Sequence, residues 1–139
     1  PLGNNFNTDY LKTALSKKES PIKNVLLNQS VIAGLGNIYV CEALFMSGIS
    51  PKKKASKISK SKCEELVQNI RAVLISAIDA GGSSLKDFTD IQGNLGYFQF
   101  EFHVYGRENE YCKIKNCGRK IKRISQSGRS SFYCPSCQR

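Results

Sequence analysis

Apolar residues recur at helical spacing over most of the first eighty positions, and the breaks between them divide the chain into elements. Tyr10, Leu11, Ala14 and Leu15 share one face of a helix predicted over residues 4–17. Asn7 stands at its N-cap, with Phe6 and Leu11 spaced as a hydrophobic staple. Ser20-Pro21 predicts a second helix, Ser20 as cap and Pro21 at the first helical position, where its missing N–H leaves nothing unpaired. Ile22, Val25 and Leu26 face inward there, and Lys23 points elsewhere. Gly34 and Gly36 interrupt the next apolar run, Asn37 caps a helix over 38–47, and Gly48 ends it. Ser61 and Glu64, spaced as a capping box, open the longest helix, over 60–80. Leu66, Ile70, Val73, Leu74, Ala77 and Ile78 give it a continuous buried face, and Gly81-Gly82 stop it.

After that helix the period is lost. Residues 83–100, rich in Gly, Ser and aromatics, predict a long loop of the kind that serves as a lid or binding loop. Phe102, Val104 and Tyr105 alternate like a short strand and lead into a different kind of segment. Cys112 and Cys117 enclose four residues, sixteen follow, and Cys134 and Cys137 enclose two. Two close cysteine pairs separated by a basic, alternating stretch are the pattern of a four-thiolate zinc site, each pair on a tight turn and a hairpin between them. So small a module has too few large apolar side chains to fold alone, but zinc binding of about 10 kcal/mol or more becomes folding free energy.

Charge narrows the partner. The chain carries 21 Lys+Arg against 11 Asp+Glu, a formal +10; one zinc on four thiolates brings this to about +8. From Cys112 to Arg139 there are eight basic residues and no acidic one. Such a balance favours nucleic acid or an anionic surface. The run Lys52-Lys53-Lys54 reads as solvated surface. No apolar run approaches the roughly 20 residues of a membrane span, so a soluble protein is expected. Cys41 and Cys63 fall in helical stretches without turn chemistry, which favours free packing thiols in a reducing compartment over a six-cysteine disulfide framework.

Catalytic chemistry is scarce. His103 is the single histidine and suits packing or surface, and Glu64-Glu65 sit at an exposed helix start. Gly34-x-Gly36-Asn37 would aim backbone N–H groups and a helix N-terminus at an anion, but lacks the further glycine and the Lys-Ser/Thr ending of nucleotide loops. Alone, the pattern is ordinary turn chemistry. On these residues the chain is a zinc-containing nucleic-acid-binding module.

A set of ordered motifs carries a more specific resemblance. Asn7-x-Asp9-Tyr10-Leu11, Pro21-Ile22-Lys23, Gly34-Leu35-Gly36-Asn37-Ile38-Tyr39, Glu42-Ala43-Leu44-Phe45, Gly81–Phe88, Val104-Tyr105-Gly106-Arg107 and Gly128–Gln138 together resemble the C-terminal half of a bacterial formamidopyrimidine-DNA glycosylase. The resemblance implies a mainly α fold: a helix–two-turn–helix domain over 1–104, with a lesion loop near 83–97, followed by a small β-hairpin zinc finger with four cysteine ligands over 105–139. It implies one structural zinc on Cys112, Cys117, Cys134 and Cys137, and damaged double-stranded DNA as partner. Lys23 and Asn37 would contact the DNA backbone around the lesion. Arg129, at the hairpin tip, would clamp a phosphate and donate the proton in the second elimination. Lys18 would substitute for the basic residue many relatives carry where Glu19 stands.

The intact parent would be a monomeric, cytoplasmic bacterial repair enzyme, both glycosylase and abasic-site lyase. It would remove 8-oxoguanine and formamidopyrimidines through a Schiff base and β,δ-elimination. The family's nucleophile is an N-terminal proline followed by glutamate on a separate domain, whereas Leu2 follows Pro1 here and Pro-Leu-Gly-x-x-Phe matches the interdomain linker. Pro1 is therefore expected to be a truncation point, with the N-terminal catalytic domain of the same polypeptide missing and the chain inactive alone. The four residues between Cys112 and Cys117, where two are usual, depart from the family pattern. The alternatives are a non-enzymatic zinc ribbon and the related endonuclease for oxidised pyrimidines; the Gly81–Phe88 loop favours the purine enzyme.

Overall fold

The computed structural model describes residues 6–32, 34–79 and 102–139. The expectations for Pro1, for the Gly81-Gly82 stop and for the loop near 83–97 lie outside those residues, as does the side chain of Ile78.

Helix α1 (Thr8–Ser16) is shorter than the predicted 4–17, but the predicted cap holds: the Asn7 side chain accepts the Tyr10 amide at 2.9 Å. Phe6 and Leu11 enter the same core, completing the staple. Tyr10 departs from the predicted apolar face; it is largely exposed and its hydroxyl donates to the Val31 carbonyl at 2.5 Å. In α2 (Ile22–Leu27) the capping differs from expectation. Pro21 itself is the N-cap, with extended ψ, and no side chain caps the helix. Ser20 instead offers its carbonyl to the Ala55 amide, while the Ile22 amide donates to the Lys53 carbonyl at 2.6 Å. The Lys52–Lys54 run is thus partly structural, its backbone holding the entry to α2.

Helix α3 (Asn37–Met46) starts one residue earlier than predicted. Gly36 is the N-cap and Asn37 the first helical residue, which frees the Asn37 side chain from capping. At the other end the Gly48 amide donates to Phe45 and the Ile49 amide to Leu44, both at 3.0 Å, with Gly48 at φ +69°. This paired closure needs a left-handed residue, which glycine supplies without a Cβ penalty. A 3-10 turn (Ala55–Lys57) leads to α4 (Lys60–Asp79). Its cap is Ser59 rather than Ser61: the Ser59 hydroxyl accepts the Lys62 amide at 3.1 Å. Cys63, Leu66, Val67, Ile70 and Ala77 form its buried stripe, with Val73 and Leu74 packed beside them.

The hairpin consists of β1 (Lys122–Gln126) and β2 (Arg129–Tyr133), antiparallel, with Lys122 opposite Tyr133 and Gln126 opposite Arg129. Ser127 and Gly128 connect them, both at positive φ (50° and 81°), the two-residue turn whose twist matches a right-handed hairpin. Two apolar clusters result. Val40, Ala43 and Leu44 of α3 join α1, α2 and α4 in the first, while Cys41 and Phe45 join Val104, Ile121, Phe132 and Cys134 in the second. Helix α3, Glu42 apart, is therefore apolar on both its buried sides because it is shared between two cores. Each large side chain fully buried there contributes about 1.5–3 kcal/mol.

Candidate nucleic-acid interface and metal centre

The four cysteines of the predicted zinc site converge. Their sulfurs lie within 4.8 Å of one another, with Cys112–Cys137 at 3.9 Å, Cys117–Cys134 at 3.6 Å and Cys117–Cys137 at 3.5 Å. A tetrahedral zinc with Zn–S bonds of about 2.3 Å has sulfur–sulfur edges of about 3.8 Å, so the donor set and its size both fit. The structure joins no two of the six cysteines in a disulfide. The two knuckles are built by backbone pairing. The Cys112 amide donates to Arg119 at 2.7 Å and the Ile121 amide to Glu110 at 2.8 Å, closing the longer first knuckle. Its extra residues are accommodated with Asn116 and Gly118 in the left-handed region (φ 67° and 70°). In the second knuckle the Cys137 amide donates to the Cys134 sulfur. The Arg119 amide, beside the Cys117 sulfur, brings that thiol down to about 7, whereas burial and then the neighbouring sulfurs push Cys112 and Cys137 up.

Gln138 ties the knuckle to the helices. Its side-chain oxygen accepts the Cys134 amide at 2.8 Å and its amide group donates to the Ile49 carbonyl at 2.9 Å, just beyond α3. The Arg139 amide donates to Gly48 at 3.0 Å beside it. Glu42, buried on α3, does the same at the start of the module. Its carboxylate accepts the amides of His103, Val104 and Tyr105 at 2.8–3.0 Å and faces His103 Nδ1 at 3.1 Å. Burial alone would raise its pKa; the hydrogen bonds, led by the His103 ring, outweigh that and hold it below the usual carboxylate range. The predicted strand around 102–105 is consequently a turn, its amides gathered on one carboxylate instead of a neighbouring strand. His103 packs as expected, its ring stacked on Phe45 at 5.2 Å.

Three of the four predicted DNA-contact residues meet at the hairpin tip. Lys23 corrects its expected direction: it is fully buried, with Nζ donating to the Ser130 carbonyl at 3.0 Å and to Ser131 Oγ at 2.6 Å. Asn37 Nδ2 donates to the same Ser130 carbonyl at 3.1 Å. Arg129, the residue before, is exposed. Burial lowers the Lys23 pKa; Cys41 partly opposes this, and the nearby Arg129 charge adds to it. Lys18 stands apart, exposed beyond α1, its carbonyl accepting the Ser56 amide. Glu19 pairs with Lys54 at 3.7 Å on the surface. In the glycine turn, the Gly34 amide is already taken by Gln29 Oε1 at 2.8 Å.

Residues 1–89 match the model of the formamidopyrimidine-DNA glycosylase H2TH domain, and residues 115–139 match a zinc finger found in that enzyme and in IleRS. The chain belongs to the formamidopyrimidine-DNA glycosylase family. It is 58% identical to the formamidopyrimidine-DNA glycosylase of Ruegeria pomeroyi over all 139 residues, which are 49% of that protein. The chain thus spans about half the length of the curated relatives it matches. Among solved structures, it is similar to the Lactococcus lactis FPG mutant G226P in complex with DNA containing Fapy-dG, with a TM-score of 0.84 and 36% identity over 96% of this chain and 48% of that one. It is likewise similar to MutM (FPG) from Thermus thermophilus, with a TM-score of 0.86 and 37% identity over 99% of this chain and 52% of that one. Family membership and the thiol geometry together assign one structural zinc to Cys112, Cys117, Cys134 and Cys137. No helix among the described residues is long and apolar enough to cross a membrane.

Two residues important to this arrangement appear in the sequence only as members of the matched motifs, with no role assigned to them. Glu42 had a signal, being a lone carboxylate in an otherwise apolar helical run, which must be paired if buried. Gln138 had only its place in the motif, since a glutamine after the last cysteine has no periodicity to expose its role.

Proposed function

We propose that this chain is the DNA-gripping part of a base-excision glycosylase that acts on oxidised purines in double-stranded DNA. One observation carries the proposal: the Ser130 carbonyl receives hydrogen bonds from both Lys23 and Asn37, so α2 and α3 meet the hairpin where Arg129 is exposed. A basic side chain held at such a junction suits a backbone phosphate. By the resemblance, Arg129 also donates the proton in the second elimination. Glycosylases of this kind evert their target base, which requires a firm hold on the flanking backbone. Asn37 joins Arg129 in this role, and Lys18 extends the basic surface. The helical unit 1–104 and the finger 105–139 then act as two jaws on one duplex in a cytoplasmic monomer. Schiff-base formation and the first elimination belong to the parent's N-terminal domain; Arg129 serves the second elimination only with that domain in place, and this chain alone is inactive. The bond from Gln138 to Ile49 and the shared core favour this reading over an independent ribbon.

Fluorescence anisotropy on duplexes with and without a tetrahydrofuran abasic analogue tests the DNA reading. Several-fold tighter binding to the damaged duplex is expected; equal affinity for both removes the lesion reading. Borohydride trapping on an 8-oxoguanine duplex should give no covalent adduct, and an adduct overturns the assignment of the chemistry elsewhere.

A further inference from the structure

Lys23 has no exposed surface, and its ammonium donates two hydrogen bonds to the hairpin. The contact continues as a chain. Ser131 donates onward to Gln126 Oε1 at 2.5 Å, and Gln126 Nε2 donates to the Pro51 carbonyl at 3.2 Å. Gln126 is the cross-strand partner of Arg129, so these bonds grip both sides of the two-residue turn. Asn24 Nδ2 adds a bond to Ser127 Oγ at 3.1 Å within the turn itself. A phosphate contact needs an ammonium that reaches solvent, and this one does not. Burying a charge is also a poor route to stability, since an apolar side chain of similar volume often serves as well. What a buried, hydrogen-bonded charge supplies is a defined orientation of its partners, here the backbone that follows Arg129.

We propose that Lys23 is a positioning residue for Arg129: it fixes the Ser130–Ser131 backbone from within, so that the guanidinium is presented at the hairpin tip, and it makes no phosphate contact of its own. This rests on the DNA-binding reading above. Lys23 thereby acts through a residue far away in sequence, and its effect on DNA depends on Arg129 being present.

The test uses the zinc-loaded 139-residue chain, a tetrahydrofuran-containing duplex, and the variants Lys23→Met, Arg129→Ala and their combination. Lys23→Met is expected to raise Kd about 5- to 10-fold in the wild-type background and by less than about twofold in the Arg129→Ala background. The salt slope of the double variant should equal that of Arg129→Ala; a further fall of about 0.9 would make Lys23 a phosphate contact and overturn the proposal. Lys23→Gln, which keeps a donor, should recover part of the loss. A second readout needs no DNA. The backbone order parameter of Ser130 should fall from about 0.85 to below about 0.6 in Lys23→Met, with the cysteine Cβ shifts unchanged because zinc remains bound. Unaltered order at Ser130 overturns the proposal whatever the DNA result. If the wild-type chain binds no duplex, the DNA-binding reading fails, and the order parameters alone decide whether Lys23 holds the tip. Should Lys23→Met not fold, Ser131→Ala breaks the same link from the hairpin side.

Discussion

The Glu42 carboxylate accepts the backbone N–H of Val104 at 2.9 Å, fastening the approach to the zinc module onto helix α3. With the amides of His103 and Tyr105 on the same carboxylate, one buried side chain satisfies three consecutive backbone donors. Its pKa is depressed in the folded state, so its contribution is present above the unfolded value of about 4.3 and is lost as pH falls through the folded value. Glu42→Gln turns an amide group onto these donors and should cost about 2–3 kcal/mol at pH 7. Urea unfolding of both proteins measures it. The gap should shrink below about pH 4; a gap of full size at pH 3 would show that the charge is not what matters. Zinc is kept in large excess in both series, because its release in acid would free the same amides and shrink the gap for a different reason.

Arg129→Ala should weaken duplex binding and lower the slope of log K against log salt by about 0.9, the share of one phosphate. A titration at four or five salt concentrations is sufficient. An unaltered slope would take Arg129 off the list of phosphate contacts.

Zinc removal should unfold the module over 105–139 and leave most of the helical signal in place. Because Cys41 belongs to the cluster that the hairpin covers and Cys63 to the helical core, thiol counting gives a sharper readout. With zinc bound, all six cysteines should react slowly. After chelation five should react quickly, the four ligands and Cys41, and Cys63 should stay protected. A count of four would mean that α3 keeps its cover when the metal leaves.

Gln138→Ala should reduce zinc affinity about tenfold, in the range typical of groups that orient metal ligands. It removes the bond to the Cys134 amide and the tie to Ile49 together. Competition with a chromophoric chelator would detect the change; unchanged affinity would confine Gln138 to packing.

Much of this architecture is readable along the chain where the determinants are local. Asn7 before its helix, Gly48 after another and the cysteine spacing each act within a few residues, and each appears where the pattern places it. Errors arise where two local solutions compete. Ser59 and Ser61 both precede the α4 pattern, and Ser59 is the one whose hydroxyl meets a free amide. Ser20 could cap α2, but its segment is recruited by backbone pairing with residues 53–55. Lys23 and Asn37 owe their roles to contacts that are not local. Their partner Ser130 lies 107 and 93 residues away in sequence, and nothing in a window around either residue specifies that meeting.

Helix α3 has one side in each apolar cluster, and this makes metal occupancy and helical stability parts of one equilibrium. Zinc binds the folded module far better than the unfolded one, so rising free zinc stabilises the module and, through Cys41 and Phe45, the helix beneath it. The melting temperature of the helical signal should therefore depend on free zinc, although no helix residue ligates the ion. A zinc-poor cell would hold a chain whose helices are still formed but sit closer to their unfolding threshold.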